Sequence, residues 1–363
     1  MRKSILAALL AALPSTALAG GIERTPQSME ILFAPDRTLE LSFGAVRPRA
    51  SGTSPLTPGT GSGNVFRNYL QPGLAVKWPL NDRLDGALIF DRPFGARTRY
   101  ADGTGYFLSG SSADITSEAL TGVLRYRLEG GFAVYGGIRL QQLRGEARVR
   151  TLTGLDYRLD APTSREAGYL LGVSWERPDI AARVALTYNS AIRHSFAATE
   201  QTAPLPAQPA SFRSTTPESI NLEFQTGIAP DTLLFGSVRW ARWSRFEIAP
   251  PLYATVTGGG VLTSYDSNVV TYRLGLGHRF NDTWSGAITV LHEPRSGDLF
   301  SNLGPRDGRS GLGVAATWTS GDISVTGGLQ YQRLGRANTV APTSARFSGG
   351  SAVAAGLRLT LSF

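Results

Sequence analysis

Three histidines, His194, His278 and His292, are the only imidazoles in 363 residues, and cysteine is absent. The histidines stand far apart, none with a second ligand at the spacing a zinc site needs. His278 and His292 also share parity with apolar neighbours near strand ends, which points to an interface rather than a metal. Gly61-Ser62-Gly63 sits in a Gly/Pro/Thr-rich loop and lacks the strand-turn-helix context that exposes a nucleophilic serine. Gly275-x-Gly277 falls inside an alternating stretch, no place for a dinucleotide-binding turn. Without thiols there is no disulfide framework, no Cys nucleophile and no Cys-ligated metal. A non-enzyme with no cofactor and no metal is expected.

What remains to do chemistry is charge. Lys+Arg number 36 against 28 Asp+Glu, a net charge of +8. Arginine falls on one parity of several stretches: Arg183 between Ala182 and Val184, Arg125 between Leu124 and Tyr126, Arg273 between Tyr272 and Leu274. Such a face cannot meet lipid, where each arginine would cost roughly 2–4 kcal/mol at mid-membrane. It must line a wet interior.

The elements that position these charges alternate with a period of two. At the C-terminus Val353, Ala355, Leu357, Leu359, Leu361 and Phe363 share one face, and Ala354, Gly356, Arg358, Thr360 and Ser362 the other. About fourteen such strands are expected, including 83–101, 180–197, 211–229, 232–248 and 263–280. Short turns rich in Pro, Asn, Asp and Gly alternate with longer connections, as in an up-and-down barrel with periplasmic turns and outer loops. The fold class is therefore all-β, a transmembrane antiparallel barrel. Trp78, Tyr100, Tyr126, Trp175, Trp243, Phe280 and Trp284 lie near strand ends and are expected in the interfacial girdles. One strand is irregular. In Leu88-Ile89-Phe90-Asp91-Arg92-Pro93-Phe94-Gly95-Ala96, Pro93 removes a ladder donor and Gly95 weakens the pairing, which implies a bulge or kink.

The N-terminus is an address. Arg2 and Lys3 precede an apolar run, Ile5 to Leu13, and Ala17-Leu18-Ala19 offers a signal-peptidase site. The run is far short of the ~20 residues of a spanning helix. The expected organisation is a signal peptide over 1–19, a short hatch-like segment over 20–36 entering the lumen, and a barrel over 37–363. An exported product meets no nucleic acid, so the arginine excess points to a lumen, to lipopolysaccharide phosphates or to an anionic ligand.

Several ordered stretches resemble the FadL-type outer-membrane transporters of long-chain fatty acids and hydrocarbons. They are Thr216-Pro217-Glu218-Ser219, Ala229-Pro230-Asp231, Trp240-Ala241-Arg242-Trp243-Ser244-Arg245-Phe246, Tyr272-Arg273-Leu274-Gly275-Leu276-Gly277 with Asn281-Asp282-Thr283-Trp284, and Pro305-Arg306-Asp307-Gly308-Arg309. The resemblance implies a fourteen-stranded barrel for passive uptake of hydrophobic molecules. A kinked third strand, here at Pro93, Phe94 and Gly95, would let them leave sideways into the membrane. It also implies a carboxylate site, which by spacing falls on Arg148 and Asp266, with Ser264 where the family has a lysine. The family's longer hatch is shortened here, and Phe33-Ala34-Pro35 is the nearest counterpart of its motif. The expected partners are a long-chain fatty acid or other lipophilic ligand, outer-membrane lipid and lipopolysaccharide, with the barrel as a monomer. A general porin for small polar solutes is the competing expectation, and an outer-membrane lipid hydrolase a more distant one.

Overall fold

The computed structural model of the protein describes residues 21–340 and 344–363; the export signal expected over 1–19 lies outside them. Fourteen strands close into one antiparallel barrel. They are β1 Thr38–Thr53, β2 Tyr69–Pro79, β3 Leu84–Asp91 resuming as Gly95–Arg99, β4 Ser112–Arg127, β5 Phe132–Arg150 and β6 Asp156–Arg177. Then come β7 Ala182–Asn189 with Ile192–Thr202, β8 Gln208–Thr216 with Ser219–Ala229, β9 Thr232–Ala241 and β10 Val269–Arg279. The last four are β11 Trp284–Glu293, β12 Arg309–Ser320, β13 Ile323–Leu334 and β14 Arg346–Ser362. β14 pairs with β1 from Leu361↔Leu39 to Val353↔Arg47, so no edge is left open to lipid.

The period-two pattern sorts the two faces. On β4, Leu120, Leu124 and Tyr126 are 42–53% exposed, whereas Ala119, Thr121, Val123 and Arg125 are at most 4% exposed. The outward belt continues as Leu41 and Phe43, Ile138 and Leu140, Leu171 and Val173, Leu274 and Leu276, and Leu312 and Val314. A closed barrel with an apolar outer belt is built to stand in lipid. The short turns use their sequence chemistry. Asn81 Oδ1 accepts the Arg83 and Leu84 amides, both at 2.9 Å, and Asn281 Oδ1 accepts those of Thr283 and Trp284 at 2.9 and 2.8 Å.

Three differences from the expected elements matter. Strand 232–248 ends at Ala241, after which the chain turns inward through Trp243–Arg245 and the short helix α1, Pro251–Thr257. Trp243, expected in the girdles, is therefore fully buried inside the lumen; Tyr100, likewise expected there, is buried against Tyr106, while Tyr126, Phe280 and Trp284 are exposed. Strand 263–280 begins only at Val269, since Thr263–Ser264 pairs locally with Glu247–Ile248. β5 and β6 run to 19 and 22 residues, about twice the ~10 needed to span, so the connection between them is shorter than 151–163.

β3 is interrupted. Its first part pairs with β4 up to Asp91↔Ala119 and the second resumes at Gly95↔Thr116, so three residues of β3 face two of β4. This inserts a bulge and flips the parity: Leu88 and Phe90 point outward before it, Arg97 and Arg99 after it. Ser117 repairs that edge, its hydroxyl accepting from the Phe94 amide at 2.8 Å. On the β2 side the ladder stops at Leu74↔Phe90 and contact returns only where the Arg67 amide meets the Arg97 carbonyl at 3.0 Å. Between them the wall is bridged by Gln71 Nε2, which donates to the Arg92 carbonyl at 2.8 Å.

Candidate functional site: a divided lumen

Residues 21–37 enter the barrel and pass the interruption. The Arg24 amide donates to the Pro93 carbonyl and the Gly95 amide to the Ile22 carbonyl, both at 2.7 Å. The backbone groups of β3 that have no neighbour in β2 are thus satisfied by the inserted segment, as burial demands. Further on, Asn221 Nδ2 donates to the Pro26 carbonyl at 2.8 Å and Ser28 Oγ to Glu223 at 2.5 Å. The turn Glu30–Phe33 buries Ile31 and Leu32. The Phe33 ring carries the guanidinium carbons of Arg125 at 4.6 Å and Arg183 at 4.3 Å. Lys77 Nζ donates to the Ala34 carbonyl at 2.7 Å, and Thr38 Oγ1 to that of Pro35 at 2.8 Å.

Toward the outer loops the lumen is apolar. An apolar chamber is lined by Ile22 of the inserted segment, Ala96 of β3, Ile115 of β4, Leu143 of β5 and Phe196 of β7, with Phe246, Leu262, Tyr265 and Leu303 from the inward loops. Trp243 packs edge-on against Phe94, Phe246 and Tyr265, with ring centroids 5.2–5.8 Å apart. Burial pushes the Tyr265 phenol up to about 12 and does the same to Tyr106, so these loop tyrosines stay neutral at any physiological pH.

Toward the short turns the same inward parity carries charge. A second, polar cavity is bounded by Ser28, Glu30, Arg183, Glu223, Arg239 and Arg273. Glu23 is ion-paired with Arg239 inside the barrel, Nε donating at 2.8 Å, and Arg125 pairs with Glu176. Buried pairs of this kind persist only when each charge has a partner.

The residues indicated by the family resemblance are distributed rather than gathered. Arg148, on the outward parity of β5, makes a two-point contact with Asp156 at 3.0 and 2.7 Å, beside an open outer groove that also includes Arg67, Arg97 and Arg158. Asp266 is exposed, and Ser264 pairs with Glu247 in the local two-residue strand. Pro93, Phe94 and Gly95 occupy the interruption of β3, and Phe33, Ala34 and Pro35 contact the charged half. Sequence reasoning missed Trp243, Phe246 and Tyr265. The sharp Trp-Ser-Arg turn after Ala241 was the available signal, hidden by apolar parity that continues through it. It also missed Arg24, whose position depends wholly on where the N-terminal segment goes.

Among the described residues no group of three or more His, Asp or Glu side chains is arranged to hold a metal. Comparison with protein-family models and with curated proteins finds no match. Solved structures do match. A FadL homologue from Pseudomonas aeruginosa aligns with a TM-score of 0.77 at 16% identity, covering 97% of this chain and 98% of that one. The Ralstonia pickettii toluene transporter TbuX aligns at 0.68 and 11%, covering 97% and 98%. The Pseudomonas putida toluene transporter TodX aligns at 0.66 and 12%, covering 98% and 93%. The fold of this chain is that of the FadL-type outer-membrane transporters.

Proposed function

We propose that the protein is a passive outer-membrane uptake channel for hydrophobic small molecules, long-chain fatty acids first and uncharged hydrocarbons second, and that they leave sideways through the interrupted third strand. The observation that carries this reading is the division of the lumen. An apolar chamber lies on the outer side and a charged plug lies below it, so a greasy solute is held above a barrier that it cannot enter cheaply. Moving its tail into water costs about 0.8 kcal/mol per CH₂. The gap in the β2–β3 ladder is closed by plug residues 22–25, not by a continuous strand, which makes it the weak place in the wall. Outward passage there ends in the membrane, where a hydrocarbon tail has its lowest free energy. The toluene transporters of the same fold support a hydrophobic small molecule as the substrate class.

The outer wall contributes to the same reading. Exposed Arg47, Arg49, Arg67, Arg99 and Arg144 stand above the apolar belt, where lipopolysaccharide phosphates lie. The porin reading is less well supported, because residues 21–37 and the aromatic loop cluster occupy the lumen.

Proteoliposome uptake tests this. A labelled fatty acid should enter barrel-containing vesicles faster than empty ones, while small ions pass slowly. Free ion passage without accelerated fatty-acid entry would establish a porin instead. Replacing Pro93-Phe94-Gly95 by Val-Thr-Val, which lets β3 run on, should lower uptake several-fold. Undiminished uptake would remove the lateral exit from the scheme.

A further inference from the structure

Between β6 and β7 the wall is joined by side chains as well as by a ladder. The pairing stops at Leu170↔Asn189 and resumes at Asp160↔Thr199. In between, Ser190 Oγ accepts the Tyr169 amide at 2.9 Å. His194 reaches Ser164 Oγ through Nδ1 at 3.4 Å and Gln141 Oε1 through Nε2 at 3.0 Å. Thr216 Oγ1 donates to the same Gln141 oxygen at 3.1 Å. His194 is thus a buried brace of the wall, and the polar atoms that touch it are taken up in holding it.

Ser214 is not taken up. It stands opposite His194 in the β7–β8 register, is 3% exposed, and its Oγ has no hydrogen-bond partner. Among the described residues, no other buried side-chain polar atom without a partner belongs to the lining of the apolar chamber. Thr263 and Tyr265, the other buried polar side chains of that lining, are hydrogen-bonded to each other. Gln141, held beside His194, has its Nε2 unused, so this wall has a spare donor as well as a spare hydroxyl. One pair further along the same two strands, Phe196 and Phe212 stack with ring centroids 5.1 Å apart and line the chamber. None of the buried lining residues is charged.

A hydroxyl buried without a partner costs free energy until a donor or acceptor reaches it. It can both donate and accept, so a second hydroxyl answers it in full. A carboxylate would bring into the same place a charge that the buried lining does not pair. We propose that Ser214 is the polar contact for an uncharged, hydroxyl-bearing hydrophobe, an aryl or alkyl alcohol whose apolar body lies against Phe196 and Phe212. The inference rests on the uptake reading above and turns its substrate class toward neutral oxygenated compounds. In such a chamber the stacked rings accept any greasy body, and Ser214 distinguishes an alcohol from the hydrocarbon of the same shape.

The experiment is a tryptophan-quenching titration of the full barrel in maltoside micelles, in which the signal lost in Trp243→Phe is that of the chamber. The probes are para-bromobenzyl alcohol and para-bromotoluene, which differ by a single oxygen, with para-bromobenzoate as the charged analogue; bromoundecanol and bromoundecane form the alkyl pair. Ser214→Ala should weaken the alcohol by about fivefold or more, the size of one neutral hydrogen bond, and leave the toluene within about twofold. Ser214→Thr, which keeps a hydroxyl, should retain most of the alcohol's affinity, and the benzoate should bind more weakly than the alcohol. A response confined to the aryl pair or to the alkyl pair supports the assignment and says which body the chamber takes. Equal losses for alcohol and hydrocarbon, no loss for either, or a benzoate that binds as tightly as the alcohol overturns it. The hydrocarbon is the internal control, since a general loosening of the lumen moves both members of a pair together. If no probe quenches Trp243, the uptake reading fails; if the hydrocarbon binds and Ser214→Ala changes nothing, that reading stands and the contact at Ser214 alone is lost.

Discussion

The two halves of the lumen are built on the same strands, and they differ in what the inward-facing side chains carry. On β4, Ile115 faces the outer chamber and Arg125 faces the plug; on β7, Phe196 and Arg183 divide in the same way. In the outer half the inward residues meet each other and the aromatic loops, and stability comes from apolar burial. In the inner half they meet the inserted segment through ion pairs and through hydrogen bonds to its backbone, so the plug is held by polar contacts. Under the proposed function, a wall that is greasy above and charged below both retains a hydrophobic solute and blocks its axial path. The difference in side-chain chemistry, not in backbone, turns a barrel into a selective one.

The largest effect should come from erasing the difference in the chamber. Ile115→Arg places an unpaired charge among Leu143, Phe196 and Phe246, at a cost of ~3 kcal/mol or more, and should lower hydrophobic-ligand affinity at least about a hundredfold in a quenching titration. Normal affinity would mean that ligands bypass the chamber. Next, Arg239→Met leaves Glu23 buried and unpaired, a penalty of about 3–5 kcal/mol. Faster amide exchange over residues 22–32 and a higher single-channel conductance are expected, and Glu23→Gln in the same chain should recover most of both. A smaller change is expected from Phe196→Ala. It widens the chamber and should shift preference toward bulkier ligands by a few-fold, while the barrel loses ~3 kcal/mol or less because the site borders open space. Arg148→Ala should matter least. Its ion pair with Asp156 is a half-exposed one at the outer groove, worth at most about 1 kcal/mol, and ligand affinity should stay within about twofold. A tenfold loss would extend the binding site outward to β5 and the groove.

Much of the architecture was legible in the residues because a barrel strand carries its own instructions. Leu120, Leu124 and Tyr126 against Arg125 already say which face meets lipid, since no arrangement of neighbours makes mid-membrane arginine cheap. Asn81 and Asn281 announce tight turns through bonds to their own backbone. Pro93 announces a missing donor. The candidate site was less legible, because its members are brought together by closure of the sheet. Ile22, Phe196, Phe246 and Leu303 share no local pattern, and the one local signal at Trp243, the Trp-Ser-Arg turn, is masked by apolar parity that continues through it.

By itself, then, the sequence determined the alternation, the turns, the interruption of the third strand and the sign of the inward charge, all properties set by interactions within one strand or between a side chain and its solvent. Only the tertiary structure decided which wall residues the inserted segment meets, that residues 22–25 fill the gap beside Pro93, and that Arg24 lies across Gly95. Those outcomes depend on pairing between segments some seventy residues apart, and the register that brings them together is fixed by the closed sheet as a whole.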